Sequence, residues 1–278
     1  MEDAVISGLS DKTYTGDAIT QTLAVTHSGN LLEEGTDYTV AYSNNINAGT
    51  ATVTITGKGE YTGKIEKTFT IAKADQNITV KAAAAAIDVG KTTKVTASGA
   101  RETVKYTFTS SNTKVAAVNA KGTVTGKAAC TVTITVKTPA TANYNAGSGT
   151  VEITVSKVLK KPGNCRFVKW NNSRHTSCRI AWNKVVGAEG YQILVSWTDG
   201  SHENSAYVDS NVLYEDCTVS GNRVSQVKVR AYYMLDGERK FGPWSNTVRI
   251  NPSHTKHNKK NGGGFFARIR DMMWYFFY

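Results

Sequence analysis

Residues 35–71 alternate between apolar and polar side chains in three short runs, at 38–42, 51–55 and 67–71. The runs are rich in Thr, Val, Ile and Tyr, and short segments that contain Asn or Gly separate them. Because successive side chains of a strand point to opposite faces, this period of two predicts short antiparallel strands with one buried face. The same pattern continues through nearly all of the chain, so the sequence predicts an all-β protein.

The 278 residues exceed one ordinary small domain, and the pattern divides them into units. We predict three β domains, at 1–73, 74–157 and 158–251, and a polar tether with an aromatic tail at 252–278. Lys-Pro-Gly at 161–163 is typical of a linker, and it supports the boundary between the second and third domains. The third domain has seven strand candidates: 165–170, 177–182, 190–197, 204–208, 215–219, 225–233 and 245–250.

The formal net charge of +11 is distributed unevenly. Counting basic minus acidic residues gives 5 − 9 = −4 for 1–73, 10 − 4 = +6 for 74–157, 13 − 8 = +5 for 158–251 and 5 − 1 = +4 for 252–278. Basic charge favours anionic partners in general. Here the basic residues are spaced singly along the predicted strands, without a dense cluster among aromatic residues, so we expect no nucleic-acid partner.

The first domain is similar to a repeat from surface proteins of Gram-positive bacteria. The similarity rests on Gly-Thr-Asp-Tyr-Thr-Val-Ala-Tyr-Ser-Asn-Asn at 35–45 and on Ala-Gly-Thr-Ala-Thr-Val-Thr-Ile-Thr-Gly-Lys-Gly-Glu-Tyr-Thr-Gly at 48–63. Repeats of this kind are Ig-like β modules, usually in tandem. The resemblance covers about residues 8–73.

Residues 110–125 of the second domain read Ser-Ser-Asn-Thr-Lys-Val-Ala-Ala-Val-Asn-Ala-Lys-Gly-Thr-Val-Thr. This motif resembles that of the group 2 bacterial Ig-like domain. The family usually has Trp at the position of Phe108 and Gly at the position of Cys130. The first change is conservative, and the second affects one turn rather than the fold.

Four segments of the third domain stand out: Cys-Arg-Ile-Ala-Trp at 178–182, Ala-Glu-Gly-Tyr-Gln-Ile at 188–193, Val-Lys-Val-Arg-Ala-Tyr at 227–232 and Gly-Pro-Trp-Ser-Asn-Thr-Val at 242–248. On these segments the domain resembles fibronectin type III. Ser225 occupies the position where the family has its corner Tyr. The resemblance therefore implies a weaker corner and a less stable domain.

Together the resemblances imply three tandem Ig-like or fibronectin-like β-sandwiches in a non-enzymatic segment of a bacterial cell-surface or secreted protein. Such a segment would act as a stalk and as an adhesion surface for a host or cell-surface protein or a glycan. The alternative is a carbohydrate-binding or spacer region of a secreted carbohydrate-active or cell-wall enzyme. The chain does not open with a signal peptide, so the expected extracellular location rests on the resemblance alone.

The sequence shows no catalytic motif and indicates no cofactor. None of its five histidines lies in HExxH, and GxSxG is missing. His254 and His257 lie in the tether without a third ligand nearby, so we expect a solvated segment rather than a metal site. Asp209, Glu215 and Asp216 lack the spacing of a calcium loop.

Four cysteines, at 130, 165, 178 and 217, fit no zinc pattern. Alternation places Cys178 and Cys217 on the inward side of the second and fifth strands of the third domain, which are neighbours in a fibronectin-type sheet. A disulfide would need Cα atoms within about 7 Å of each other. We favour two buried thiols, because nothing in the sequence requires a crosslink.

Aromatic residues of the third domain are the main candidates for ligand binding. Trp244 is expected near the outward-facing Lys228 and Arg230, which would give a cation–π ladder. The alternative is a glycan platform formed by four aromatic residues: Trp197, Tyr232, Tyr233 and Trp244.

The tail at 265–278 places apolar residues on one face at helical spacing and is too short to span a bilayer. One alternative is contact with a membrane interface, in which Arg268 and Arg270 meet lipid phosphates. A second is docking on another domain, and a third is an accidental end of an excerpted or frame-shifted chain. The membrane or docking candidates are Phe265, Phe266, Arg268, Ile269, Arg270, Met273 and Trp274.

Overall fold

The structure, a computed structural model, describes residues 1–251. The predicted tether and aromatic tail at 252–278 lie outside the described residues. In residues 1–251 all regular secondary structure is β, which confirms the all-β prediction. A membrane-spanning helix is not found in this part of the chain.

Two compact units make up the chain. The first comprises Met1–Val158 and Met234–Glu238, and the second comprises Leu159–Tyr233 and residues 239–251. The first unit contains two pairs of sheets, each with its own hydrophobic core. The second unit contains one further pair.

Residues 1–73 form seven strands in two sheets. The strands are β1 (Val5–Ser7), β2 (Lys12–Thr13), β3 (Ala24–His27), β4 (Asn30–Leu31), β5 (Tyr38–Ser43), β6 (Gly49–Gly57) and β7 (Lys64–Ala72). One sheet has the order β1-β3-β4 and the other the order β2-β7-β6-β5. Alternation in β6 turns Val53 and Ile55 inward, where they pack with Val25 of the other sheet, and all three are fully buried.

Residues 74–157 form eight strands in two four-stranded sheets. The strands are β8 (Thr79–Ala82), β9 (Ala86–Asp88), β10 (Thr92–Ser98), β11 (Thr107–Ser110), β12 (Ala116–Val118), β13 (Thr123–Gly126), β14 (Cys130–Thr138) and β15 (Gly147–Ser156). The sheet orders are β12-β13-β10-β8 and β11-β14-β15-β9. The alanine run at 82–86 ends β8, forms a turn and begins β9. Val95 and Val124 of one sheet meet Ile134 and Ile153 of the other in the core.

The linker between these two sandwiches is held by a loop of the second sandwich. We call residues 73–76, together with the loop at 139–145, the linker clamp. Backbone hydrogen bonds join Ala74 N to Asn143 O at 3.0 Å and Asn145 N to Ala74 O at 2.8 Å. Gln76 is buried, and its side-chain Nε2 donates to Asn145 O at 2.7 Å and to Pro139 O at 3.1 Å. The linker is therefore part of a hydrogen-bonded layer.

The loop of the linker clamp also reaches the first sandwich. Asn143 Oδ1 accepts a hydrogen bond from Ala48 N at 2.9 Å, and its Nδ2 donates to Asn47 Oδ1 at 3.1 Å. The rings of Tyr14 and Tyr144 meet edge to face, with centroids 5.3 Å apart. The contacts of this loop with the first sandwich are non-local, and strand periodicity does not report them.

The second unit contains a three-stranded sheet and a larger sheet. The strands are β16 (Arg166–Trp170), β17 (Ser177–Ala181), β18 (Gly190–Trp197), β19 (Glu203–Asp209), β20 (Tyr214–Thr218), β21 (Ser225–Leu235), β22 (Glu238–Trp244) and β23 (Val248–Ile250). The orders are β16-β17-β20 and β19-β18-β21-β22, and β23 also pairs with β21. The neighbouring second and fifth strands, expected from the fibronectin type III resemblance, are β17 and β20.

One strand of this unit was missed by the sequence reasoning. β22 covers Glu238–Trp244, a segment that lies between the predicted strands at 225–233 and 245–250. Three residues of its sequence, Glu-Arg-Lys-Phe-Gly-Pro-Trp, are charged, and two others are Gly and Pro, which are depleted in strands. Pro is tolerated there because β22 lies at the end of the sheet.

Candidate binding surface

The outer face of the larger sheet in the second unit is built by strand alternation. In β21, Val227, Val229 and Ala231 are fully buried, whereas Lys228 and Arg230 between them are half-buried. The register places Arg230 opposite Gln192 of β18. Gln192 lies opposite Tyr207 of β19, so these three side chains share one row across the outer face.

Six side chains from β19, β21 and β22 interleave on this face, and we call them the aromatic–arginine ladder: Tyr207, Arg239, Tyr232, Phe241, Arg230 and Trp244. The Arg230 Cζ atom lies 3.8 Å from the ring centroid of Phe241 and 4.4 Å from that of Trp244. The Arg239 Cζ atom lies 4.4 Å from the ring centroid of Tyr207 and 5.2 Å from that of Tyr232. All four distances are within the range of cation–π attraction.

Edge-to-face aromatic contacts connect the rings around Arg239 with those around Arg230. The centroid of Tyr232 is 6.1 Å from that of Phe241 and 6.1 Å from that of Tyr207. Tyr232 lies opposite Gly190, and a Cβ atom on Gly190 would overlap the Tyr232 hydroxyl and lie 2.5 Å from its Cζ. The missing side chain at Gly190 therefore gives the Tyr232 ring its place on the sheet.

Hydrogen bonds hold the end of the ladder that contains Arg230 and Trp244. Arg230 Nε donates to Gln192 Oε1 at 2.7 Å, and Gln192 Nε2 donates to Ser205 Oγ at 3.1 Å. Next to Trp244, Ser245 Oγ accepts a hydrogen bond from Val229 N at 3.0 Å. The bonds through Gln192 orient the Arg230 guanidinium, and the bond to Ser245 ties the residue next to Trp244 to β21.

Among the described residues, 1–251, the ladder guanidiniums have no acidic partner in an ion pair. Within residues 1–251, neither Arg230 nor Arg239 forms an ion pair with a carboxylate. Elsewhere in the second unit, Arg179 pairs with Asp216, and Arg223 pairs with Asp199. Burial lowers the pKa of Arg230 from its ordinary value, because desolvation disfavours the charged form. The face therefore presents positive charge together with aromatic surface.

The four aromatic residues predicted as a glycan platform do not form one surface. Tyr232 and Trp244 belong to the ladder. Tyr233 is buried at 5% exposure, and Trp197 packs at the far end of β18 with His202, at 4.8 Å, and with Arg223, at 4.7 Å. The predicted contact between Trp244 and Arg230 is present.

Three members of the ladder were not identified from the sequence: Tyr207, Arg239 and Phe241. Tyr207 and Phe241 are the most exposed rings of the ladder, at 45% and 37%. Arg239 and Phe241 lie in β22, the strand that the sequence reasoning missed. Their alternation as Arg-Lys-Phe beside a turn of Asp-Gly was the one available signal.

The remaining candidates from the sequence are the acidic residues and histidines that were considered as metal ligands. In residues 1–251, no group of three His, Cys, Asp or Glu side chains could hold a metal ion. Asp216 makes two hydrogen bonds of 2.7 Å with Arg179, which hold the pKa of its carboxyl at about 2. His254 and His257 lie outside the described residues.

Cys178 and Cys217 lie directly opposite each other on β17 and β20, as free and buried thiols. The predicted inward orientation of both is confirmed. Burial raises the pKa of Cys178 to about 11 and that of Cys217 to about 12. Both therefore remain protonated at neutral pH, and a protonated buried thiol is a poor nucleophile.

One protein-family model matches part of the chain. Residues 74–143 match the family model described as Bacterial Ig-like domain (group 2), which confirms the resemblance of the second sandwich to that family. No curated protein matches the chain in sequence.

Several solved structures of tandem domains align with most of the chain. Domains A168–A170 of titin align at 12% identity over 88% of this chain and 97% of the titin chain, with a TM-score of 0.37. The FN1–FN3 domains of chicken CNTN1 align at 13% identity over 86% and 98% of the two chains, with a TM-score of 0.33. A segment of two fibronectin type III domains from chicken tenascin aligns at 14% identity over 77% and 96%, with a TM-score of 0.31.

Proposed function

We propose that this chain is a non-enzymatic modular segment of a bacterial cell-surface or secreted protein. In this proposal, residues 1–157 act as a stiff spacer of two modules, and the module at 158–251 provides an adhesive surface. Group 2 bacterial Ig-like domains occur in bacterial surface proteins, which supports the location.

The linker clamp is the observation that most supports the spacer role. A spacer transmits position only if its modules do not rotate freely about their linker. Here the linker backbone is paired with the loop at 139–145, and Asn143 connects that loop to Asn47 and Ala48 of the first sandwich. A flexible linker, in contrast, would be rich in unpaired Gly or Ser.

The aromatic–arginine ladder supports the adhesive role of the third module. Cations and aromatic rings on one exposed face are common in recognition surfaces, where aromatic and Arg residues are enriched. Surface-exposed Tyr207 and Phe241 are the parts of this face most available to a partner.

Amide relaxation measurements by NMR on the full chain test the spacer role. Both sandwiches of the first unit should report one common rotational correlation time. Two distinct correlation times would contradict a stiff spacer, because they would show that the sandwiches tumble separately.

The surface location has its own test in the source bacterium. Brief protease treatment of intact cells should release peptides from residues 1–251, and their detection by mass spectrometry would support the proposal. Peptides that are found only after lysis would contradict it.

A second candidate is an accessory region of a secreted carbohydrate-active or cell-wall enzyme. The exposed rings of Tyr207 and Phe241 favour it, since aromatic surface is suited to packing on sugar rings. The two candidates differ in their neighbours: a catalytic domain encoded in the same reading frame would favour the accessory region.

A further inference from the structure

We propose that the aromatic–arginine ladder binds an acidic polysaccharide, with its guanidiniums on carboxylate or sulfate groups and its exposed rings against the sugar rings. This ligand class rests on the proposed function, in which the same face is the adhesive surface. The proposal commits to a sugar polymer rather than to a protein or a nucleic acid.

Uncompensated charge is the first argument. Arg230 and Arg239 form no ion pair within residues 1–251, and Lys228 lies on the same face. Residues 158–251 as a whole carry 13 basic and 8 acidic residues, for a net charge of +5. Charge complementarity therefore favours an anionic partner.

Preorganisation is the second argument. Each guanidinium is held between two rings, Arg230 between Phe241 and Trp244, and Arg239 between Tyr207 and Tyr232. A planar guanidinium that is already fixed loses less rotamer freedom when it binds an oxyanion. Carboxylates and sulfates both match the paired N–H groups of such a guanidinium.

The exposed rings provide the third argument. Tyr207 is 45% exposed and Phe241 is 37% exposed, and each is a direct neighbour of an arginine of the ladder. A residue of an acidic sugar offers an oxyanion and a rigid apolar ring face together, so one residue can contact both kinds of group.

An acidic polypeptide fits this face less well. Its carboxylates sit on flexible stems, which lose rotamer entropy when they are ordered, and its backbone offers no apolar ring. A sugar polymer has rigid rings and a regular spacing of charge, and the ladder likewise repeats an arginine between aromatic rings.

Titration calorimetry with the full chain tests the proposal with named probes. Polygalacturonate supplies carboxylates, dextran sulfate supplies sulfates, and neutral dextran supplies neither. We expect binding to at least one acidic polymer and none to dextran, and the two acidic probes reveal which oxyanion is preferred. Poly-glutamate and oligo-deoxythymidine of similar charge serve as competitors of other classes, and equal or tighter binding of either would overturn the assignment to a sugar.

Matched variants locate the site. Arg239→Gln should weaken binding by about fivefold or more, because a charge-assisted hydrogen bond is lost. Adding Tyr207→Ala to this variant should weaken binding further, because an aromatic ring that contacts the sugar is removed. Lys169→Gln removes the same charge from exposed β16 in the other sheet and should change affinity less than twofold. Equal losses for Lys169→Gln and Arg239→Gln would overturn the proposal, because they would indicate non-specific attraction. So would unchanged affinity in Arg239→Gln.

The result is separable from the proposed function. If no acidic polymer binds but protease treatment of intact cells still releases these modules, the ligand class is wrong and the surface role stands. If acidic polymers bind but the modules are found only after lysis, the surface role is wrong and the binding site stands.

Discussion

At Gly190 the packing of the ladder leaves no room for a side chain. A Cβ there would lie 2.5 Å from Val208 O and would overlap the Tyr232 hydroxyl. Gly190→Ala should therefore destabilise the second unit by about 1–3 kcal/mol through overpacking. Urea unfolding followed by tryptophan fluorescence measures the change. Gly163→Ala is the matched control, because its Cβ would lie 3.8 Å from Asn183 Nδ2, an ordinary contact distance. A variant as stable as the parent would show that Tyr232 moves aside freely.

The Asp216 carboxyl makes the folding stability of the second unit depend on pH. Its hydrogen bonds with Arg179 hold the pKa at about 2, below the ordinary value of 3.8. A lowered carboxyl pKa adds stability that is fully present above the unfolded pKa and is lost as pH falls towards 2. Asp216→Asn should therefore lower stability at pH 7 and have little effect near pH 2.

Thermal unfolding at pH 7 and pH 2.5 measures that difference. Asp216 and Arg179 are both partly exposed, so solvent screening keeps the effect small. The double variant Asp216→Asn/Arg179→Gln should lose less than the sum of the two single variants. A pH-independent loss in Asp216→Asn would contradict the role of the charge.

The pairing of β17 with β20 determines whether Cys178 and Cys217 can form a disulfide. Their pairing on β17 and β20 is that of directly opposite residues, for which Cα atoms are about 4.5–5.5 Å apart. That spacing is compatible with a disulfide, but burial keeps both thiols protonated. The geometry alone therefore does not force a crosslink.

Alkylation with iodoacetamide distinguishes the two states. We expect Cys178 and Cys217 to remain unlabelled in the native protein and to label fully in urea without reductant. Mass spectrometry assigns the label to each residue. Labelling in urea that requires reductant would instead show that the two residues are joined in the native protein.

At the start of β21, a serine replaces the tyrosine expected at this corner of the sheet. Ser225 takes the position of the expected corner Tyr and is fully buried. Its Oγ accepts a hydrogen bond from Ser220 N at 3.2 Å, so a short side chain provides one bond from the corner to the backbone upstream. The lower stability implied by the resemblance stays a prediction.

For the whole molecule, the linker clamp makes the arrangement of the first two sandwiches depend on one loop. Asn143→Ala removes its bonds to Ala48 N and Asn47 Oδ1. Amide exchange at Ala48 should accelerate about five- to tenfold, which corresponds to the loss of one hydrogen bond. NMR-detected exchange measures this rate. Asn119→Ala removes bonds within a turn of the second sandwich alone and should leave Ala48 unchanged. Equal rates in the parent and Asn143→Ala would contradict the clamp.

Strand positions could be predicted from the sequence because side-chain alternation is a local property of an extended chain. The runs at 38–42, 51–55 and 67–71 all lie in strands, as does nearly every predicted run of the third domain. β22 was the exception, since an edge strand with Gly, Pro and charges has a weak pattern.

The sequence by itself determined that this chain forms β-sandwiches, which face of each strand is buried, and that Cys178 and Cys217 point inward. Only the tertiary structure decided which strands are neighbours, and hence that Arg239 meets Tyr207 and that Asn143 meets Ala48. The physical reason is range. Alternation is set by adjacent residues, whereas these contacts join residues 32 and 95 positions apart, as the register and the loops bring them together.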